Sequence, residues 1–416
     1  VLSPFGAANL GFPAVIRRIL RIVIQILRSF PALILALTAT FLFGLGTFAG
    51  TFAITLYTFA IMTKLTYEDA SAADVKAYQA LRAMGVSKYV AYIHGILPEI
   101  IPGFLTNALY LLETNVRHSS ILGYVGAGGI GLLLNEKISW LEYDKVGTIL
   151  LMLFLTVCVI EYFSRYLAAL IRKERTIKKE QARLLLLFLA ALFLICTFTL
   201  SLPDFSRTSP QTLRNMFAGF LQPDWSFFFS AEKDGLGYLL LETVCIAFIG
   251  TVIGAIVSAP LAFLNTKRFV PAPVSFLFNL VIMVIRSVPF LVYGLIFIRV
   301  SGPGAFTGVL TLAVCSIGLL TKRFTEALDA LDPRPYHALL AMGVRPLPAI
   351  CHSVLPQLKP VFTSIILYRF DVNIREASVL GLVGAGGIGA PLIFSMNQYA
   401  WEKAGAIMLG LILLVW

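Results

Sequence analysis

Two arginines stand where arginine is costly. Arg28 and Arg286 each lie inside an apolar run, the second at the middle of the stretch from Val274 to Ile298. A charge at bilayer depth costs about 2.5 to 3.5 kcal/mol on insertion scales, so it must face a cavity or a counter-charge. A guanidinium presents a planar fork of N–H donors suited to bidentate contact with oxyanions, and two at one depth would form a positive girdle. Glu113, Asp371 and Glu242 are the carboxylates that could pair with them instead. A second polar set precedes two glycine runs: Asn115, Arg117 and Ser120 before one, Asn373, Arg375 and Ser378 before the other. These donors suit the mouth of an anion path, while an interfacial arginine can equally snorkel to lipid headgroups.

A third set has spacing rather than charge as its signal. Gln79-Ala80 is followed by Gly85 and then by Leu97-Pro98; His337-Ala338 is followed by Gly343 and then by Leu355-Pro356. The pattern predicts a short helix ended at a glycine turn, then a second element stopped by proline at the membrane surface. One such segment reads as an amphipathic surface helix. Two copies at one spacing read as elements that dock into a groove on a partner.

The elements that position these residues follow from composition. Of 416 residues, 58% are apolar and 13% charged, against roughly 45–50% and about 25% in a globular domain; the chain belongs in a bilayer. Apolar runs able to cross it lie near 14–43, 46–63, 95–115, 146–171, 183–202, 237–264, 274–299, 306–321 and 354–370, with a shorter one at 404–416. The net charge of +11 does not call for nucleic acid. Lys and Arg collect in alternate loops, at 172–183, at Lys267-Arg268 and from Lys322 to Arg345, which places those loops in the cytoplasm. The segment from Pro203 to Gly235 is expected to be external and interfacial. Five cysteines and four histidines are scattered at no metal-ligand spacing.

The chain repeats itself 258 residues on. Arg28-Ser29-Phe30-Pro31 falls on Arg286-Ser287-Val288-Pro289, Ala83-Met84-Gly85-Val86 on Ala341-Met342-Gly343-Val344, and Gly126–Gly131 on Gly384–Gly389. From Glu68 to Gly131 about 30 of 64 positions are identical, beyond what shared hydrophobicity gives. The expected domains are a first repeat at 1–171, a cytoplasmic linker at 172–182 and a second repeat at 183–416. A full second repeat of six spans keeps both halves in one orientation, with a pseudo-two-fold axis along the membrane normal. In this register Val1 falls inside the second span of a repeat, so the first half is expected to lack two spans and the second half the end of its sixth. The glycine run contains a formal G-x-G-x-x-G, but it sits between spans with no strand before it, so the glycines serve tight turns and close helix approach.

The Ala, Gly and Leu-Pro spacing resembles the coupling loop of ABC importer permeases. Here Gln79-Ala80-Leu81 and His337-Ala338-Leu339 stand for that pattern's Glu-Ala-Ala, and Gly95 and Ser353 for its Ile. The segment Asn373–Gly389, with Pro223-Asp224-Trp225-Ser226 and Arg286-Ser287-Val288-Pro289, resembles the phosphonate-type branch over nearly the whole chain. In the first half His118 stands where the second has Glu376. The resemblance implies an all-α polytopic protein made of two type I permease repeats fused in tandem, which imports phosphonate or a related phosphorus oxyanion. It implies two ATPase subunits that bind ATP and Mg, an external phosphonate-binding protein, and a multi-pass place in the cell membrane. The chain has no G-x-x-x-x-G-K-[ST] of its own and is not expected to be an enzyme. Alternatives are a permease for another small solute such as methionine, or a secondary transporter with parallel repeats; the latter calls for mid-span carboxylates, and Glu242 alone comes close.

Overall fold

A computed structural model describes residues 6–7, 13–171, 179–200, 210–230 and 235–415. Residues 172–178 of the expected linker, and 203–209 and 231–234 of the expected external segment, lie outside the described residues. The chain forms two compact units, one up to Arg214 and one from Asn215 to Val415, and the described residues are helical with no strand.

In the first unit α1 (Ala14–Ser29) and α2 (Ala32–Phe43) are followed by α3 (Thr47–Ala72), the short α4 (Lys76–Ala83) and α5 (Lys88–Gly95), the long α6 (Leu97–Leu122), α7 (Ile130–Ser139) and α8 (Tyr143–Ile171). Then come α9 (Lys179–Phe198), α10 (Pro210–Leu221) and the single turn α11 (Trp225–Phe228). The second unit continues with α12 (Leu236–Asn265), α13 (Ala272–Ser287), α14 (Phe290–Ser301), α15 (Ala305–Asp329), α16 (Arg334–Ala341), α17 (Pro346–Ala349), α18 (Leu355–Leu380), α19 (Gly389–Asn397) and α20 (Trp401–Val415). From α1 to α7 the helices of the first unit recur in the second at the 258-residue register to within a residue or two, α5 excepted; α8 and α20 begin at matching residues, and the positive-φ positions, Leu141 and Tyr399 included, recur as well.

Among the described residues five helices are long and apolar enough to cross a membrane, and three bent pairs bring the number to eight if each pair is one span. Two of the bends correct the expected continuous runs at 14–43 and 274–299. Proline lacks an N–H and clashes with the preceding turn, so α1 and α2 meet at 89° at Pro31, and α13 and α14 at 85° at Pro289. The expected run at 46–63 is a 26-residue helix that continues to Ala72. Charges end the apolar run without ending the helix: Lys64 and Glu68, one turn apart, pair at 3.4 Å.

Close packing in the second unit is set by small residues. Along α12, Thr243, Ala247, Gly250, Thr251, Gly254 and Ser258 are all buried. A Cβ on Gly250 would lie 2.8 Å from the Leu312 Cβ, and one on Gly254 would overlap the Ser316 Cβ. In lipid no water-driven collapse holds helices together, so such backbone approach supplies the contact.

Candidate functional site

The segments expected to dock are two matched turns. In each, a short helix ends in glycine in the left-handed region: Gly85 at φ 84° and Gly343 at φ 82°. Gly85 N–H donates to the Arg82 carbonyl and Val86 N–H to the Leu81 carbonyl, at 3.1 and 3.2 Å; Gly343 and Val344 do the same to Leu340 and Leu339, at 3.0 and 3.1 Å. This is the paired closure of a Schellman turn, with Leu81 and Val86 packed on one cluster beneath it. Entry to each helix is fixed as well, because Asp74 and Asp332 accept from the N–H of Lys76 and Arg334, both at 3.0 Å. The Lys76 backbone N–H, with its ammonium behind it, holds the Asp74 carboxyl below its ordinary value. Tyr78 is buried, whereas Gln79, Ala80, Gly85, His337, Ala338 and Gly343 are exposed. Met84 and Met342 stand 70% and 78% exposed, so each turn offers a small-residue surface tipped by a flexible apolar side chain.

The Leu-Pro pair works differently from the expectation. Proline is tolerated in a first helical turn, where its missing N–H is no loss. Leu97-Pro98 and Leu355-Pro356 therefore open the long helices α6 and α18 instead of closing the elements before them. The first unit turns by 64° at that junction, while the second runs on through a π turn at Ile350–Val354.

Arg28 and Arg286 occupy the last turns of α1 and α13, immediately before the proline corners. A cation there meets the negative end of the helix dipole, so the corner, which the periodicity did not disclose, lowers the cost of the charge. Arg28 donates to the Gln25 side chain at 3.2 Å. A Cβ on Gly318 of α15 would lie 3.0 Å from the Arg286 side chain, which marks how closely that arginine is packed. The three carboxylates that the sequence offered each have a partner of their own. Glu113 pairs with Arg117 at 2.7 Å, Asp371 with Arg375 at 2.6 Å, and Glu242 accepts from Gly387 N–H at 3.1 Å.

The polar rows on α6 and α18 do not act as one cluster. Ser120 and Ser378 donate to the carbonyls of Arg117 and Arg375 in their own helices. Asn115 donates to Thr58 at 2.8 Å, and Asn373 to Thr251 at 2.7 Å and Ser316 at 2.9 Å. Beyond them the glycine runs form turns that lock onto a second glycine turn: Gly46 N–H donates to the Gly126 carbonyl at 3.0 Å and Gly304 N–H to that of Gly384 at 2.9 Å. A Cβ on Gly131 or Gly389 would overlap the carbonyl oxygen of Ser120 or Ser378.

One pair went unread in the sequence. Arg369 is 5% exposed and lies on the α18 face that carries Asn373 and Glu376, four and seven residues on. Its Nη2 donates to Glu376 Oε2 at 2.7 Å, its Nη1 to Oε1 at 3.4 Å, and its Nε to Ser316 at 3.2 Å. The signal was available as Arg-x-x-x-Asn-x-x-Glu at helical spacing, but the first repeat replaces both charges, with Leu111 and His118, so a search for repeated residues passes over it.

The described residues thus form a polytopic helical chain with two copies of a bent helix pair, an exposed glycine-ended turn and a locked glycine turn. The chain belongs to the family described as binding-protein-dependent transport system inner membrane component, whose pattern matches residues 2–177 and 250–416. It is thus a multi-pass inner-membrane transport component rather than an enzyme, and it works with ATPase subunits and a substrate-binding protein. It is 28% identical to the phosphate-import permease protein PhnE of Mycolicibacterium smegmatis, over all of this chain and 78% of that one. It is 36% identical to the phosphite transport system permease protein PtxC of Stutzerimonas stutzeri, over 42% of this chain and 64% of that one. It is 38% identical to the putative cryptic phosphonate transport system permease protein PhnE2 of Escherichia coli, over 26% of this chain and 88% of that one.

Proposed function

We propose that this chain is the permease of an ATP-driven importer for a phosphorus oxyanion of the phosphonate, phosphite or phosphate class. In this reading the repeats at 1–171 and 183–416 each supply half of the path. Two ATPase subunits dock on the turns at Gln79–Gly85 and His337–Gly343, with Leu97-Pro98 and Leu355-Pro356 passing their motion into α6 and α18, and an external phosphonate-binding protein delivers the substrate. The carrying observation is similarity to a phosphate-import permease over all of this chain and 78% of that one. Two exposed turns of one geometry, one in each unit, support the number of ATPase subunits. Arg28 and Arg286 at the corners, with Asn115, Arg117, Ser120, Asn373, Arg375 and Ser378 further along, are the groups assigned to the anion's path. ATP and Mg are bound by the partners.

The test is uptake by the whole complex in proteoliposomes loaded with ATP and supplied with its binding protein. Phosphate, phosphite, methylphosphonate and methionine are offered in turn. Saturable accumulation of a phosphorus oxyanion, undiminished by excess methionine, is expected. Accumulation of methionine alone would assign the chain to another branch.

A further inference from the structure

The two units are built to one plan, yet one of them carries a buried ion pair that the other does without. At the positions of Arg369 and Glu376 the first unit has Leu111 and His118, and α6 still forms at the same register, with Asn115 holding Thr58 as Asn373 holds Ser316. The fold therefore does not need the pair. Buried ion pairs are poor stabilisers, because desolvation offsets their attraction, and ionisable groups inside a membrane are retained for a task.

The donor inventory indicates the task. A guanidinium has five N–H donors. Arg369 spends one on Ser316 and two on Glu376, leaving one N–H on each terminal nitrogen without a partner among the described residues. Beside it, fully buried Asn373 spends both amide hydrogens, and its Oδ1 accepts nothing. Two unspent donors and one unspent acceptor, next to a carboxylate that can accept more, complement a ligand that presents both an anionic oxygen and an O–H. A phosphorus oxyanion that keeps one P–OH has both groups. Glu376 neutralises the guanidinium when the site is empty, and its side chain, 19% exposed against 6% for Arg369, is the more open of the two.

We infer that Arg369, Asn373 and Glu376 form a contact point for a protonated phosphorus oxyanion within the second unit; the first unit keeps the asparagine, Asn115, whose Oδ1 is likewise unspent, but not the charged pair. This rests on the proposed substrate class and adds a one-sided recognition site to it. Arg369 meets the P–O⁻ with its free N–H groups, and Glu376 and the Asn373 carbonyl accept from the P–OH.

The first repeat supplies the test. The complete complex, with its ATPase subunits and binding protein, is reconstituted as wild type, as Arg369→Leu/Glu376→His and as Arg369→Lys. The double variant installs the residues of the first repeat; the lysine keeps the charge next to Glu376 but loses the fork. Co-purification of the subunits reports assembly, and uptake of radiolabelled phosphate and phosphite is measured over a concentration range. Both variants should assemble. The double variant should lose tenfold or more in uptake kcat/KM, and Arg369→Lys at least fivefold, chiefly through KM. Uptake within twofold of wild type in either variant overturns the inference, as does failure of both to assemble, which would make the pair a structural requirement. If the double variant alone fails to assemble, Arg369→Lys decides by the same threshold. Absence of phosphate and phosphite uptake by the wild type would instead refute the proposed substrate class, before any variant is compared.

Discussion

Replacing Gly85 and Gly343 by Val tests the docking turns through backbone geometry alone. An added Cβ meets nothing within 4 Å at either position, so the cost comes from φ values of 84° and 82°. An L residue in the left-handed region costs about 1 to 2 kcal/mol, and a β-branched one is a true outlier there, so about 2 to 3 kcal/mol is the reasonable figure. Against it stand two backbone hydrogen bonds worth about 0.5 to 1.5 kcal/mol each, at the low end because the turn is exposed. The strain matches or exceeds what holds the turn, and at a tenfold change per 1.4 kcal/mol the ratio of closed to open turn should fall about thirtyfold or more, which makes the open form the major one. The turns belong to separate units, so their costs should add. Substrate-stimulated ATP hydrolysis and uptake should collapse in the double Val variant, while the amount of permease in the membrane stays unchanged. Asn, which also adds a side chain of three or more heavy atoms but is at ease in the left-handed region, should retain most activity. If Val and Asn impair coupling equally, bulk at an interface is responsible and the turn argument fails; if Val is silent, the segments do not dock an ATPase.

Arg28→Met and Arg286→Met keep the apolar stem without the charge, and should weaken uptake of a dianion more than of a monoanion when each is normalised to protein in the membrane; equal losses would point to a structural ion pair. Gly131→Ala and Gly389→Ala force a Cβ onto a backbone carbonyl oxygen, and should cost about 1 to 3 kcal/mol in thermal stability by overpacking; unchanged unfolding temperatures would refute the locked-turn geometry. Because the Asp74 carboxyl lies below its ordinary value of 3.8, the order it gives to α4 is present above that value and is lost as pH falls through the lowered one. Protease sensitivity at Lys76 should rise only below that range in wild type and be high at all pH values in Asp74→Ala; equal sensitivity at neutral pH would remove the Asp74 turn from the account.

Much of this was legible because the chain states it twice. The 258-residue register makes the helices and turns of the two halves equivalent, and Gly85 and Gly343 read as turns since glycine, and after it asparagine, takes a left-handed helix end. The proline corners were less legible. Apolar runs such as 274–299 look continuous by hydropathy, and a proline inside one can kink or be absorbed, so Arg286 was read at mid-span when it stands at a helix end. The Leu-Pro pair misled for the same reason, as proline opens a helix as readily as it stops one. The carboxylates Glu113 and Asp371 lie one turn before Arg117 and Arg375, and an i to i+4 reading would have assigned those pairs at once. Arg369 and Glu376 carry no such signal, since the first half has Leu111 and His118 at those positions and the repeat marks only residues that recur.

The central claim is that ATP hydrolysis in subunits docked on Gln79–Gly85 and His337–Gly343 drives a phosphorus oxyanion through this chain. It is tested most directly by uptake of radiolabelled phosphite and phosphate into proteoliposomes holding the permease, with the ATPase subunits and the binding protein present or withheld, with or without internal ATP, and with ion gradients collapsed. Accumulation that needs all three proteins and ATP, and that survives loss of the gradients, is the expected result. Uptake that proceeds without ATP and stops when a proton or sodium gradient is removed would contradict it and make the chain a secondary transporter.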